Sequence, residues 1–305
     1  MKYMSITEVG KKIYMIDVEV AGLRNFIATY VLKGKSVAIV ETGPASSVEN
    51  LIRGLKELDV KPEDVSYIAV SHVHLDHGGG AGTLVKFLPK AKVIVHQRGA
   101  PHLANPGKLW QQSRMVLGRI AEIYGEPEPV PAGRIIAASD GMVFDVGNDV
   151  ALKVVETLGH ASHHLSYYEP PSNSIFTGDA AGIYLNEIDV IVPTTPSPFR
   201  LDIALESLEK LARLKPSVLY YTHFGKANNA VEKLHTYARQ LNLWANIAKQ
   251  ALEIGEGLEW TSRKIVEIDE AVKKAREYIE GHKVLGETVL GESVRGVFDY
   301  MKNFG

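Results

Sequence analysis

Three histidines and one aspartate lie within six residues of each other in the segment 71–80, which reads SHVHLDHGGG. On an extended backbone alternate side chains share one face, so His72 and His74 can point the same way, and Asp76 and His77 follow one turn later. Imidazoles and a carboxylate that converge are costly to bury unpaired, and a divalent cation satisfies all of them. A solvent-exposed histidine-rich loop is the alternative, but an apolar strand precedes the segment and three glycines follow it. The pattern favours a metal site.

The composition of the chain restricts the chemistry of such a site. The 305 residues include no cysteine, so a metal must be held by nitrogen and oxygen atoms. The net charge of −2 is not typical of proteins with a general affinity for nucleic acid or for an anionic membrane. The first residues lack the apolar segment of a signal peptide, and no apolar run of about 18 residues predicts a membrane span. We therefore expect a cytoplasmic protein without a nucleic-acid or membrane partner.

Short strands alternate with helices over the first two-thirds of the sequence, and these elements must position the polar cluster. Runs of β-branched and apolar residues predict strands over 12–20, 26–32, 37–41, 65–71, 92–96, 134–138, 150–157, 164–168, 174–177 and 218–222. Apolar residues at helical spacing predict helices over 46–58, 83–88 and 202–214. The cluster therefore follows directly after a predicted buried strand.

Two regions depart from this alternation. Residues 98–126 form a predicted helical insert, which a series of prolines ends. After residue 225 the sequence is helical, with apolar stripes over 230–251, 265–279 and 288–301. Such stripes pack on a core or form the interface of a homodimer, and the sequence leaves both possibilities open.

Five motifs in order along the chain resemble those of the metallo-β-lactamase superfamily. HVHLDH, residues 72–77, is similar to the H-x-H-x-D-H signature of that family. LGH ending at His160, FTGDA containing Asp179 and YTHFG containing His223 resemble its later motifs, each at the end of a strand. VETG resembles its D-T-G element, with Glu41 in place of the aspartate.

The resemblance covers about residues 13–225 and implies a fold of the α/β (α+β) class. The expected architecture is a four-layer αββα sandwich with a C-terminal helical extension. We expect one domain over residues 1–225, with the helical insert at about 98–126, and an extension over 226–305 that packs on the core. A homodimer is a further possibility.

The resemblance also implies two divalent metal ions, most readily zinc, although iron and manganese also suit nitrogen and oxygen donors. Seven ligands are expected, of which the first three bind one ion, the next three bind the second ion and the last bridges both: His72, His74, His160, Asp76, His77, His223 and Asp179. The two aspartates, Asp76 and Asp179, are also the expected catalytic residues, because they can orient an attacking nucleophile and move a proton.

By this resemblance the chain is expected to be a binuclear metallo-hydrolase that acts on a small molecule. A hydroxide shared by two metal ions would attack the carbonyl of an ester, thioester or lactone. Members that hydrolyse β-lactams generally lack the bridging aspartate and are exported, so a true β-lactamase is not expected. The motif order and the helical extension most resemble the glyoxalase II and lactonase branch, although we assign no basic residues to the carboxylates of glutathione.

Three other functions remain open at this point. A sulfur dioxygenase would hold a single iron at a reduced set of these ligands. A phosphodiesterase or nuclease of the same superfamily would need a basic surface or a long inserted domain, and neither is evident. A regulatory relative would keep the metals and turn over poorly. Metal content and a substrate panel distinguish these functions.

Six further residues are candidates for roles around the metals. Glu41 and His164 are expected to hydrogen-bond to the metal ligands. Four residues near the expected pocket are candidates for substrate contact: His102, Trp110, His163 and Tyr184. For His102, Trp110 and Tyr184, packing is the more common role of such a side chain. For His163 the sequence leaves a surface and a pocket position open.

Overall fold

Two β-sheets packed face to face form the centre of the protein, in a computed structural model that describes residues 5–305. The described strands are, in chain order, β1 Ser5–Gly10, β2 Ile13–Asp17, β3 Ala28–Lys33, β4 Val37–Val40, β5 Val65–Ala69, β6 Lys92–His96, β7 Ile135–Ala138, β8 Val143–Gly147, β9 Val150–Glu156, β10 Leu165–Glu169, β11 Ser174–Gly178, β12 Ile183–Leu185, β13 Val190–Val192, β14 Val218–Tyr221 and β15 Gly225–Ala227. The first sheet has the order β1-β2-β3-β4-β5-β6-β7, and the second has the order β15-β14-β11-β10-β9-β8. Strands β12 and β13 form a separate hairpin.

The carboxyl ends of the strands that precede the polar motifs meet at one edge of the sandwich. Strands β4, β5, β6 and β7 run parallel to one another in the first sheet. In the second sheet β11 runs parallel to β14, and β9 has the same direction because both β9 and β11 are antiparallel to β10. Ligand sites in sheets with parallel strands lie at such an edge, so the topology brings distant segments together.

Helices cover the outer face of each sheet. The described helices are α1 Val48–Glu57, α2 Ala81–Phe87, α3 Ala100–Ala104, α4 Gly107–Leu117, α5 Arg119–Tyr124, α6 Leu201–Arg213, α7 Ala230–Glu253, α8 Leu258–Ile268, α9 Glu270–Gly281, α10 Leu285–Glu287 and α11 Val294–Phe304, with a π-helical turn at Thr288–Ser293. Helices α1, α2 and α5 share a buried apolar cluster with the first sheet, and α6, α7, α8 and α11 share another with the second sheet. The expected αββα fold with C-terminal helices is therefore confirmed.

Aromatic side chains fill the space between the two sheets and fix their relative position. The ring of Tyr30, on β3, lies 5.1 Å from that of Phe176, on β11, and the Phe176 ring stacks on that of Tyr220 at 4.9 Å. The buried hydroxyl of Tyr167, on β10, donates a hydrogen bond of 2.7 Å to the carbonyl oxygen of Val70. This bond ties the second sheet to the end of β5, directly before the histidine motif.

The predicted single helix over 265–279 is wrong, because the chain turns at Asp269 and begins a new helix there. The Asp269 carboxylate accepts hydrogen bonds from the backbone N–H groups of Ala271 and Val272, at 2.8 and 3.2 Å. An aspartate in this position satisfies N–H groups that the first turn of a helix leaves free, so it starts α9 and ends α8. Across the described helices, none combines enough length and apolar character to cross a membrane.

Candidate metal centre

The seven donor residues expected from the sequence all lie at the shared edge of the two sheets. His72 to His77 follow β5, His160 follows β9, Asp179 follows β11 and His223 follows β14. Their donor atoms form three overlapping groups within which every pair of atoms lies within 4.8 Å. The first group is His72, His74 and His160, and the second is Asp76, His77 and His223. The remaining set, His72, His77 and Asp179, lies between them.

Three imidazole nitrogens converge in the first group. His72 Nε2 lies 2.8 Å from His74 Nδ1, and His160 Nε2 lies 3.2 Å from each of these two atoms. At most two of three facing nitrogens can be paired by shared protons, whereas one cation can accept all three lone pairs. This geometry suits a single metal ion with nitrogen ligands.

The second group contains the carboxylate of Asp76. His223 Nε2 lies 3.4 Å from Asp76 Oδ2, and His77 Nε2 lies 3.9 Å from the same oxygen. The Asp179 carboxylate lies between the two groups, with Oδ1 at 3.3 Å from His77 Nε2 and Oδ2 at 3.3 Å from His160 Nε2. Each oxygen of one carboxylate therefore faces a different group of donors.

Backbone carbonyl groups fix the orientation of two of the imidazoles. His160 Nδ1 lies 2.9 Å from the carbonyl oxygen of Thr194, and His223 Nδ1 lies 2.9 Å from that of Phe26. A carbonyl oxygen only accepts, so each Nδ1 must carry the proton, and in the neutral ring Nε2 then offers a lone pair to the cluster. Histidines that bind metals are held in this way.

The buried Glu41 carboxylate holds the His77 ring from behind. Glu41 Oε1 lies 3.2 Å from His77 Nδ1 and accepts a hydrogen bond of 3.2 Å from the Thr222 hydroxyl. Glu41 Oε2 accepts a hydrogen bond of 3.2 Å from the backbone N–H of Ser71, whose hydroxyl lies 2.9 Å from His72 Nδ1. Glu41 therefore links the strand ends β4, β5 and β14 behind the cluster.

The buried His164 supports Asp179 through the backbone. His164 Nε2 accepts a hydrogen bond of 3.0 Å from the Asp179 N–H, and its Nδ1 lies 2.9 Å from the hydroxyl of Thr157. Because Nε2 accepts, Nδ1 carries the proton and the Thr157 hydroxyl is the acceptor there. His164 lies outside the cluster and orients one of its donors.

The segment that contains Thr194, whose carbonyl group holds the His160 ring, is anchored to the C-terminal part of the chain. Thr195 donates its N–H to the Ser293 hydroxyl at 3.2 Å and its hydroxyl to the Ser293 carbonyl oxygen at 2.7 Å. A Cβ atom on Gly296 would lie 1.8 Å from the Thr195 carbonyl oxygen, so only glycine allows helix α11 to approach this closely. The residue before Thr195 is Thr194, which holds His160.

Burial keeps the imidazoles of the first group neutral. Loss of solvent lowers the pKa of His74 to about 3, and it lowers the pKa of His72 well below its usual value. Burial likewise lowers the pKa of His160, although the Asp179 carboxylate opposes this effect. These rings present uncharged nitrogen lone pairs at neutral pH.

Charge pairing dominates in the second group. Burial alone would lower the pKa of His77 and His223, but the carboxylates of Asp179 and Asp76 outweigh it and raise both values. Burial alone would raise the pKa of Asp76, but His77 and His223 lower it to about 2. The same histidines, with His160, hold the pKa of Asp179 well below its usual range. The histidines and carboxylates here thus stabilise each other's charged forms.

These residues fit divalent cations. His77 Nε2 and Asp179 Oδ1 are buried and 3.3 Å apart, at the spacing of an ion pair but without a hydrogen bond. Buried polar atoms normally have a hydrogen-bond partner, and a cation between these two would give each atom a bond. Nitrogen and carboxylate donors suit zinc, and they also suit iron or manganese.

Known proteins resemble the chain in sequence. The family model described as Metallo-beta-lactamase superfamily matches residues 24–223. The metallo-beta-lactamase fold-containing protein ST1585 of Sulfurisphaera tokodaii is 31% identical over 215 residues, which is 68% of this chain and 77% of that protein. The chain belongs to the metallo-β-lactamase superfamily.

Other similarities cover between 66% and 95% of the chain. The crystal structure of ST1585 matches with a TM-score of 0.71 and 25% identity, covering 95% of this chain and 99% of the other. Thioesterase pkgB of Emericella nidulans is 24% identical over 280 residues, covering 86% of this chain and 69% of that protein. Atrochrysone carboxyl ACP thioesterase of the same organism is 24% identical over 210 residues, covering 66% of this chain and 55% of that protein. Membership of the glyoxalase II or lactonase branch stays a prediction.

A cavity of about 630 Å³ opens onto the candidate metal centre. Two of the four predicted substrate residues line this cavity. His102 and His163 face the cavity with their rings 6.3 Å apart. Burial and the neighbouring His102 lower the pKa of His163 to about 4, so its ring is neutral at pH 7. The other two predicted residues are not among those that line the cavity.

Trp110 and Tyr184 have other surroundings. Trp110 packs against the core of the first sheet, with the Arg114 guanidinium 5.8 Å from its ring. The Tyr184 hydroxyl donates a hydrogen bond of 2.8 Å to Asp189, and the Tyr184 backbone N–H donates to the carbonyl oxygen of His223. Tyr184 therefore supports the segment that carries His223.

The sequence analysis did not identify Thr194, Phe26 or Ser71 as parts of the centre. The first two act through a backbone carbonyl group, which every residue has, so no residue type marks them. Ser71 was included only as the end of a predicted strand. A serine or threonine directly before a histidine motif is the one sequence signal that was available.

Proposed function

We propose that this chain is a binuclear metallo-hydrolase that cleaves an ester, a thioester or a lactone. The position of Asp179 carries the proposal, because its two oxygens lie 3.3 Å from nitrogens of two different donor groups. A carboxylate in that position can bridge two cations. Single-metal chemistry would need only one of the two groups.

Seven residues would hold the metals in the arrangement expected from the sequence: His72, His74 and His160 for one, Asp76, His77 and His223 for the other, and Asp179 for both. When bound there, two divalent cations, most readily zinc, would make a water molecule nucleophilic near neutral pH and would stabilise negative charge on a carbonyl oxygen. The remaining chemistry belongs to the side chains of the protein.

Asp76 is the residue that we propose to handle the proton. It lines the cavity, and its carboxylate is more exposed than that of Asp179, so it can reach a substrate. It is ionised at neutral pH, because its pKa is about 2 in this environment. Its free oxygen can accept a hydrogen bond from the attacking water, orient it, and pass the proton to the leaving group.

Outer residues keep the donors in place in this proposal. Glu41, Thr194 and Phe26 hold three imidazole rings by their Nδ1 atoms, and His164 holds the backbone of Asp179. A fixed geometry reduces the reorganisation that the reaction needs. His102 and His163 are proposed to contact the substrate from the cavity wall.

Two relatives named as thioesterases support acyl transfer to water as the reaction class. The presence of Asp179 argues against a true β-lactamase. A cytoplasmic location and a homodimer stay predictions. The glyoxalase II-like character of the site also stays a prediction, and turnover of S-lactoylglutathione tests it.

The test combines elemental analysis with a substrate panel on one purified sample. The panel contains aryl esters, acyl-homoserine lactones, S-lactoylglutathione and bis-phosphodiesters. We expect two equivalents of metal per chain and turnover of at least one ester, thioester or lactone. Asp179→Asn is the matched inactive variant, since it keeps the shape of the side chain.

Three results would contradict the proposal. One equivalent of iron, with oxygen uptake in the presence of a persulfide, would indicate a sulfur dioxygenase. Turnover of phosphodiesters alone would indicate a phosphodiesterase. Two bound metals with no turnover of any panel member would favour a regulatory relative.

A further inference from the structure

Apolar side chains from two distant segments form the wall of the cavity in front of the metal centre. Val116 and Leu117 belong to the insert helix α4, whereas Val284 and Leu285 lie in the C-terminal part. Phe26 closes the wall beside His223. A cavity of about 630 Å³ is within the usual range for small-molecule sites, and its walls are apolar on both sides.

The described residues that line the cavity include no lysine and no arginine. Away from the residues of the metal centre, the charged side chain among these lining residues is that of Glu292, which lies 3.8 Å from Arg295. Two nearby arginines have other partners: Arg98 donates to the Ser162 carbonyl oxygen at 3.2 Å, and Arg114 pairs with a glutamate at 2.9 Å. Away from the metal centre, an anionic group on a substrate would therefore find no lysine or arginine on the cavity wall to pair with.

The mouth of the cavity exposes apolar side chains to solvent. Met115 and Val116 are 79% and 63% exposed, and helix α4 has no buried residue at all. Both side chains line the cavity. Contiguous exposed apolar surface next to a cavity is typical of a ligand site, because a bound apolar group removes that surface from water.

From these observations we propose that the cavity selects a neutral substrate with an apolar acyl chain, which lies between helix α4 and the segment containing Val284 and Leu285. The proposal rests on the proposed hydrolase activity and adds the substrate class. It excludes acyl groups that carry a carboxylate or a phosphate inside the cavity.

Chain length gives the first measurement. The substrates are S-acyl-N-acetylcysteamine thioesters, which are neutral, with acyl chains of increasing length. Each methylene group that the cavity buries should raise kcat/KM about fourfold. A matched series with a terminal carboxylate on the acyl chain should react at least about tenfold more slowly, because the buried charge has no partner. A flat profile, or a preference for the carboxylates, would overturn the proposal.

A pair of variants locates the effect. Val116→Lys places a cation at the cavity mouth, on an exposed site where folding is not at risk. Val143→Lys is the control, since Val143 is 59% exposed on β8 and does not line the cavity. We expect Val116→Lys to flatten the chain-length profile and to favour the terminal carboxylates about two- to fivefold, as for an exposed ion pair. Equal effects of the two variants would overturn the proposal.

Binding without turnover separates the substrate class from the hydrolase activity. Alkyl methyl ketones of increasing length are neutral and cannot be hydrolysed, and their dissociation constants can be measured by thermal shift. Fourfold tighter binding per methylene, lost in Val116→Lys, would support the apolar site even if no thioester were cleaved, and the hydrolase proposal alone would then fail. If thioesters are cleaved but neither their turnover nor the binding of the ketones depends on chain length, the hydrolase proposal holds and the apolar acyl site is refuted.

Discussion

Replacement of Glu41 by glutamine tests whether the metal centre depends on residues that do not touch the metal. The Glu41 side chain is 1% exposed, and its two oxygens contact His77 Nδ1, the Ser71 N–H and the Thr222 hydroxyl, each at 3.2 Å. Glutamine has the same shape but carries one NH₂ group in place of an oxygen. Each oxygen of Glu41 accepts a hydrogen bond. The NH₂ group of glutamine therefore faces a hydrogen-bond donor in either orientation of the amide.

The expected magnitude follows from those contacts. Hydrogen bonds to a charged group contribute about 1.5–3 kcal/mol, and an amide that faces a buried donor forfeits at least one of them. Loss of a residue that orients a metal ligand lowers metal affinity about 10- to 100-fold. Glu41→Gln should therefore weaken the binding free energy of the cation at His77 by about 1.4–2.7 kcal/mol. The cation at His72, His74 and His160 should be affected much less.

Competition with a chromophoric chelator measures both affinities on one sample, and thermal unfolding in excess chelator measures the effect on the metal-free protein. We expect one weakened equivalent and one unchanged equivalent, with an unfolding midpoint lowered by several degrees. Glu156→Gln is the matched control, because Glu156 pairs with the buried His96 at 2.8 Å but lies outside the metal centre. Unchanged affinity at both sites, or equal loss in the control, would refute the reasoning.

Three further predictions concern residues with distinct roles. Asp179→Asn should lower the metal content of both sites together and reduce kcat by at least about a hundredfold, because each oxygen faces a different donor group; loss of one equivalent with normal turnover would show that it does not bridge. His102→Ala should change KM severalfold and keep two metals per chain, since the ring lines the cavity outside the cluster; a lower metal content would place it among the ligands. Asp269→Ala removes a helix cap and leaves the Trp244 and Gln240 side chains without their acceptor. The free energy of unfolding, measured in urea, should therefore fall by about 2–4 kcal/mol while the metal content stays unchanged. A loss below about 0.5 kcal/mol would contradict this.

Much of the fold could be predicted because the central strands are buried on both faces and appear in the sequence as apolar runs. Strands β5, β6 and β14 are of this kind, and their predicted positions agree with the structure. Strands β12 and β15 have three residues each, which is too short for a pattern to develop. The turn at Asp269 interrupts an apolar stripe that continues on both sides, so the spacing alone indicated one helix.

The glycines after the histidine motif have a steric cause that only the structure reveals. In the structure a Cβ atom on Gly79 would lie 2.1 Å from the Leu75 carbonyl oxygen, so close backbone approach is what requires glycine. The donor residues could be predicted because the motif determines their types, whereas the cavity wall could not, because it joins segments about 170 positions apart.

The contact between Thr195 and Ser293 makes the last helix a remote support of the metal centre. Thr194, the neighbour of Thr195, fixes the ring of His160, so disorder in helix α11 would be transmitted to a donor through two adjacent peptide units. Release of the chain end and release of a cation are then linked events, and each should make the other easier. A protease that trims the C-terminus would, by this route, act as an inhibitor of a site that it never enters.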